Sequence, residues 1–250
     1  LTGSQIPYGR SPSDAPLNLA NALRVAAYPH SGGLRGVVCV FGSYIIAGTR
    51  AKKATEFALD AFVPFAGGEL GRIGRLIAMN QESILRHHDY LNQTAGAAVR
   101  SGDLIVQSDF DMRILSLTEF PGMDPVMFGD ALSYLVDEDR DAPVRGVVIR
   151  AFGAGDISHD LHPCLEFLAE KEVPVVVTTQ APQGVSTFRV NHPGQVLAER
   201  KLAIPAHDMS IEAMTTKLGW LLAQSTTYDQ IRRLMETDLR GEITIRPDLR

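Results

Sequence analysis

Three short segments carry side chains suited to gripping a small polar molecule: Thr2-Gly3-Ser4-Gln5-Ile6-Pro7, Phe152-Gly153-Ala154-Gly155-Asp156 and Thr178-Thr179-Gln180-Ala181-Pro182-Gln183-Gly184. Glycine lets backbone N–H groups approach a ligand closely, and small hydroxyl side chains add hydrogen bonds. Turn formation alone would also explain each segment. Gly153-Ala154-Gly155 is not followed by the third glycine of a dinucleotide fingerprint, so a Rossmann-type cofactor is not expected.

A basic cluster, Gly48-Thr49-Arg50-Ala51-Lys52-Lys53-Ala54-Thr55, stands in an otherwise mildly acidic chain. Such a cluster is ordinarily a solvated face. A lysine held in a partly dry pocket can instead act as a base near neutral pH, or stabilise charge developing on a substrate. His159 and His162 share a spacing that suits a metal on one helix face. No third ligand stands at a recognisable distance, and no metal site is expected. His87-His88 reads as surface, and Asn92-Gln93-Thr94 matches a glycosylation acceptor only by chance without a secretory signal. No Gly-x-Ser-x-Gly elbow surrounds any serine.

These segments need a scaffold, and parallel sheets supply one, because their ligand sites gather at the carboxyl ends of strands. Ser13-Asp14-Ala15-Pro16 starts a helix predicted over 16–27, with Leu17, Leu19, Ala20, Leu23 and Ala27 at helical spacing. Gly36–Phe41 is a short apolar run of the kind that forms a strand buried on both faces, which predicts a parallel sheet. Rhythm is lost from Gly67 to Ser108 and returns at Met112. Asp124-Pro125 opens a helix with Phe128, Ala131, Leu132 and Leu135 on one face. A strand at Gly146–Ile149, a helix near Leu161–Lys171 and a strand at Val173–Val177 continue the alternation, and a helix begun by Asp208 and a shorter one through Ile231 and Leu234 close it. The expected architecture is α/β, two layered units with mainly parallel sheets: an N-terminal unit over 1–72, a linker over 73–110 and a C-terminal unit over 111–250. One helix and one or two strands are too little for a layered domain, so the first unit reads as incomplete.

Lys plus Arg number 24 against 29 Asp plus Glu, a net charge of -5, and no basic run would track a polynucleotide. Nucleic-acid binding is therefore not expected. The longest apolar stretch, Gly36–Gly48, is broken by Ser43 and Tyr44 and falls far short of the ~20 residues of a membrane helix. Cys39 and Cys164 make no disulfide framework, and a reducing, cytoplasmic setting fits. The opening Leu1-Thr2-Gly3-Ser4-Gln5 has neither methionine nor signal-peptide character and reads as cut or processed.

Taken in order, the motifs resemble one family, the bacterial type I (cytoplasmic) L-asparaginases, close also to the archaeal amidotransferase subunit that supplies ammonia for glutaminyl-tRNA synthesis. The resemblance rests on Leu1–Pro7, Ser13–Leu19, Phe41-Gly42 through Gly48–Lys53, Asp60-Ala61-Phe62, Phe120-Pro121-Gly122-Met123, Phe152–Gly155, Gln180–Gly184 and Asp208–Ala213. It implies hydrolysis of the side-chain amide of L-asparagine to aspartate and ammonia through a threonine acyl-enzyme, without a cofactor, in a homodimer or homotetramer. The family's nucleophile lies in a Thr-Gly-Gly-Thr-Ile-like motif, and a second threonine and an aspartate lie in a Thr-Asp-Thr-like motif. Both precede the matched segments, so the expectation is a chain lacking the N-terminal segment. Thr2-Gly3 continues into Ser4-Gln5-Ile6-Pro7, which matches a later loop, and Thr2 is not expected to be the nucleophile.

On the same resemblance, Lys53 takes the place of the catalytic lysine that accepts or relays the nucleophile's proton. Ser4 lines the pocket beside the substrate amide. Asp156 stands where the family commonly has an asparagine that binds the substrate's amino end. Arg150 and Thr179 match a second, allosteric asparagine site, while Ala181 replaces a cysteine there. Two other functions stay open: a non-catalytic asparagine- or aspartate-binding regulatory module, and an ammonia-donating amidotransferase component.

Overall fold

A two-residue turn at Gly42-Ser43 sets the pattern of the first half of the chain. Strand β1 (Val38–Phe41) folds back through it onto β2 (Tyr44–Ala47), with Phe41 opposite Tyr44 and Val38 opposite Ala47. Gly42 has φ +55°, a conformation that tight hairpins demand and side chains resist. Asn18 Oδ1 accepts from the Gly42 N–H at 3.1 Å, and the Asp60 carboxylate accepts from the Ser43 N–H at 2.8 Å and its hydroxyl at 3.0 Å. A Cβ on Gly42 would come within 1.7 Å of Asp60 Oδ1. Gly42→Ala is therefore expected to cost about 2 kcal/mol or more, from the positive φ plus the displaced carboxylate, read as a lowered urea midpoint.

The computed structural model describes residues 1–29, 33–88, 106–182, 184–224 and 226–244. Asn92-Gln93-Thr94, the 89–105 part of the expected linker and Gln183 lie outside them. The chain divides into two units, Leu1–Gly102 with Leu239–Thr244, and Asp103–Asp238.

In the first unit, α1 (Ala15–Ala26) is followed by β1, β2 and a two-stranded antiparallel ladder of β3 (Ala51–Lys53) and β4 (Phe62–Pro64). Next come β5 (Gly71–Ile73), β6 (Ile77–Met79) and α2 (Gln81–His87), the last capped by the Asn80 side chain. The sheet order is β1-β2-β5-β6, antiparallel throughout. The parallel sheet expected from Gly36–Phe41 is thus corrected in this unit. A short apolar run looks the same in either sense, and a two-residue turn leaves no room for the crossover that parallel neighbours require. Val25, Val40, Ile45, Leu70, Ile73 and Ile84 form the core.

The second unit keeps the expected alternation: β7 (Ile114–Thr118), α3 (Pro125–Leu135), β8 (Gly146–Ala151), α4 (His162–Glu170), β9 (Val175–Thr179), α5 (His192–Glu199) and β10 (Ile204–Pro205). Its sheet runs β10-β9-β8-β7, every pair parallel. Val147, Ile149, Val175 and Val177 pack with Phe128, Leu132, Leu165 and Leu168 of the helices. By pleat alternation Val148 and Val176 face the other way, and both are fully buried. Helices α6 (Ile211–Ala223) and α7 (Tyr228–Met235) complete the unit. Helix α6 begins at Ile211 rather than at Asp208, because the Ser210 hydroxyl caps it, accepting from the Ala213 N–H at 3.1 Å. Together these are the two α/β units that the sequence predicted, with the strand sense of the first corrected.

Candidate functional site

Ser4 is half-buried in a loop held by one carboxylate. Asp14, at the start of α1, accepts from the Gln5 N–H at 3.0 Å, the Ile6 N–H at 2.9 Å and the Asn18 side chain at 2.9 Å. Burial by itself would raise its pKa, but the Ile6 and Gln5 N–H bonds and the Asn18 amide outweigh it and hold the carboxyl below the usual range. The hold on this loop is thus present above the ordinary carboxylate pKa and fades only on further acidification. Asn18 also donates to the Gly3 carbonyl at 2.9 Å, so α1 fixes the loop from both sides of Ser4.

Lys53 ends β3, and its Nζ meets Glu56 Oε2 at 2.6 Å with the lysine side chain 38% exposed. Gln5 Nε2 donates to the Glu56 carbonyl at 3.0 Å. Glu56 is therefore the residue through which the Ser4 loop and Lys53 are brought together, and it could have been suspected only from its place three residues beyond the lysine. Arg50, from the same basic cluster, is not a surface charge. It is 4% exposed, and its guanidinium donates to the Gly241 carbonyl and the Thr244 hydroxyl, both at 2.9 Å.

His87 lies on this interior side and not on the surface as expected. It lines a cavity of about 20 Å³ with Arg50, Gly67, Gly241 and Thr244. Burial, then the neighbouring His88 and Arg50, push its pKa down to about 4. Between about 4 and 6.5 this half-buried histidine is neutral in the fold and takes up a proton on unfolding, so its contribution to stability is complete above about 6.5 and falls as pH drops toward about 4. The urea midpoint of the wild type should decline across that window. In His87→Gln the decline should be shallower, and parallel curves would contradict this assignment.

In the second unit Asp156 sits in the loop after β8, where Gly153 (φ +47°) and Gly155 (φ +100°) shape the turn. Its backbone bridges Phe152, and its Oδ2 accepts from Asn191 Nδ2 at 2.6 Å, just before α5. Arg150 and Thr179 are at the ends of β8 and β9, but register pairs Arg150 with Thr178 and Ala151 with Thr179. Alternation therefore sends Arg150 and Thr179 to opposite faces, the first exposed and the second 7% exposed. Thr179 Oγ1 is used within its own turn, accepting from the Ala181 N–H at 3.0 Å.

One buried acid went unremarked in the sequence. Glu119, 1% exposed and directly after β7, accepts at Oε1 from the Ser158 N–H at 3.0 Å and hydroxyl at 2.6 Å. Gln180 Nε2 donates to the Glu119 carbonyl at 2.7 Å and to the Arg150 carbonyl at 3.2 Å. An acidic residue at the carboxyl end of a parallel strand was the available signal.

His159 and His162 have ring centroids 4.8 Å apart, and His192 comes within 5.6 Å of His159. His162 Nε2 is already engaged with the Ile157 carbonyl at 3.2 Å, and burial above all lowers its pKa. Among the described residues no group of three or more His, Cys, Asp or Glu is placed to hold a metal ion.

Comparison with known proteins decides the family. The model described as "Asparaginase, N-terminal" matches residues 1–85, and "Glutaminase/Asparaginase C-terminal domain" matches residues 113–235. The L-asparaginase of Thermococcus kodakarensis is 30% identical over 246 residues, which cover 98% of this chain and 67% of that protein. The chain belongs to the asparaginase family. The expectation of a family member lacking the N-terminal segment is corrected by the match at residues 1–85, since both family domains are represented. The solved thermostable L-asparaginase from Thermococcus kodakarensis superposes with a TM-score of 0.76 at 28% identity, over 98% of this chain and 67% of that one. A glutamyl-tRNA(Gln) amidotransferase subunit of Aeropyrum pernix is 30% identical over 261 residues, all of this chain but 55% of that protein. The chain thus spans between about half and two thirds of the length of the relatives it matches. Among the described residues no helix is long and apolar enough to cross a membrane.

Proposed function

We propose that this member of the asparaginase family is an amidohydrolase that converts L-asparagine to L-aspartate and ammonia through a threonine acyl-enzyme. The observation that carries the reading is the pairing of Lys53 with the Ser4 loop through Glu56: an amine beside a loop whose backbone is fixed by the Asp14 carboxylate. In this reading the threonine hydroxyl attacks the side-chain amide carbon, its proton passes to Lys53 in its neutral amine form and then to the departing nitrogen, and ammonia leaves. Water then cleaves the ester to release aspartate. Ser4 lines the pocket beside the amide, and the Asp156 carboxylate, reached across a subunit interface, pairs with the substrate's ammonium. The assembly is a homodimer or homotetramer, and the setting is cytoplasmic.

The test is ammonia release from L-asparagine, with L-glutamine alongside, followed on the purified protein whose mass and oligomeric state have been measured. Asparagine-dependent ammonia supports the reading. Measurable heat of asparagine binding without ammonia would instead make the chain a binding module. The identity to the Aeropyrum pernix amidotransferase favours a second reading, ammonia donation within a larger complex. A homogeneous homo-oligomer with free asparaginase activity would count against it, and the net charge of -5 already disfavours direct contact with tRNA.

A further inference from the structure

Glu119 has the environment of a structural clamp, and what it clamps is the loop that bears Asp156. Its Oε1 takes both donors of Ser158, two residues after Asp156, at 3.0 and 2.6 Å. Its backbone N–H donates to the Arg150 carbonyl at 3.0 Å and its carbonyl receives the Gln180 amide at 2.7 Å, so the segments after β7, β8 and β9 meet at this one residue. The carboxylate is 1% exposed, and among the described residues its Oε2 has no hydrogen-bond partner. A buried acid is costly to keep when a neutral acceptor could bond one serine. One carboxylate oxygen accepts both donors of Ser158 at once.

The rest of the loop is held by single bonds. Asp156 Oδ2 accepts from the exposed Asn191 at 2.6 Å, the Ala154 carbonyl accepts from the Thr187 N–H at 3.2 Å and the Ile157 carbonyl meets His162 Nε2 at 3.2 Å, while the Phe152–Asp156 bridge closes the turn upon itself. Gly153 and Gly155, both at positive φ, supply the conformation that the turn requires. Among these contacts, the bonds from Ser158 to Glu119 are those that anchor the segment to the buried end of β7.

We propose that Glu119 is a positioning residue, which through Ser158 holds the 152–158 loop so that the Asp156 carboxylate meets the ammonium of an amino-acid substrate. The inference rests on the proposed role of Asp156. A group acting in this way governs substrate capture more than the chemical step, so its removal acts on KM.

Glu119→Ala should raise KM for L-asparagine at least tenfold, with kcat within about threefold of wild type. Glu119→Gln, which keeps an oxygen acceptor for Ser158, should bring KM back to within about threefold. Hydrogen–deuterium exchange of the 152–158 amides should be at least tenfold faster in Glu119→Ala and near wild type in Glu119→Gln. Unchanged KM and unchanged exchange in Glu119→Ala would overturn the proposal, as would a fall in kcat alone. If Glu119→Ala does not fold, Ser158→Ala removes the 2.6 Å bond alone and must still speed exchange across 152–158. Should the wild type release no ammonia from asparagine, the proposed function fails, and exchange still decides whether Glu119 holds the loop.

Discussion

Lys53→Met is expected to lower asparagine-dependent ammonia release by about 10²–10⁴-fold, the range that a positioned acid–base group contributes. The fold should stand. Lys53 and its partner Glu56 are 38% and 75% exposed, and an ion pair so open to solvent is worth only about 0–1 kcal/mol. Methionine keeps most of the apolar stem, so the urea midpoint should shift little. Loss of turnover with an unchanged midpoint places Lys53 in the chemistry. Near-normal turnover would remove it, and parallel losses of turnover and stability would mean that the lysine serves the fold. A companion change, Glu56→Gln, keeps a carbonyl acceptor while removing the charge that faces the amine, and separates the proton-relay role of the pair from simple placement.

The second large effect concerns stability and falls on another lysine. Lys217, 7% exposed in α6, donates to the carbonyls of Met235 at 3.1 Å and Thr237 at 2.5 Å, at and just beyond the end of α7. Those carbonyls belong to the end of a helix, where no intrahelical donor remains and where a cation is favoured by the dipole. Lys217→Met preserves the length and apolar stem but leaves the buried Met235 contact and the part-buried Thr237 contact without the amine. The expected cost is about 3 kcal/mol, seen as a drop in the urea midpoint with an unchanged slope. Lys217→Arg should recover only part of it, because a planar guanidinium does not fit acceptors arranged around a compact ammonium. A loss below about 1 kcal/mol would show that solvent reaches these carbonyls when the lysine is gone.

How much could be read beforehand depends on how local the governing physics is. In the second unit the strands are runs of valine and isoleucine between helices whose apolar residues share one face. Period alone therefore fixed their nature, as the fully buried Val147, Val148, Val176 and Val177 show. Turn and cap chemistry was readable for the same reason: Asp124 before Pro125 starts α3, its carboxylate accepting from the Met127 N–H at 2.7 Å. Helix α1 shows where this reading stops. Its leucines suggested an inward face, yet the helix turns Asn18, Asn21 and Val25 inward and leaves Leu17 and Leu23 more than 60% exposed. The amides win those places because they answer the backbone groups of Gly3 and Gly42, which are near them only in the folded chain.

The family motifs, the two-unit α/β plan and the parallel second sheet are legible in residue order, since each follows from neighbours along the chain. Packing sets the antiparallel sense of the first sheet, the burial of Arg50, the half-buried place of His87, the meeting of Lys53 with the Ser4 loop at Glu56, and the clamp of Glu119 on Ser158. Each of these depends on which polar group finds a partner across 39 or more positions, or on a turn too short for a crossover. A charged side chain has the same spelling whether it faces water or is desolvated against a carbonyl, and only the packed chain sets the difference in free energy between the two.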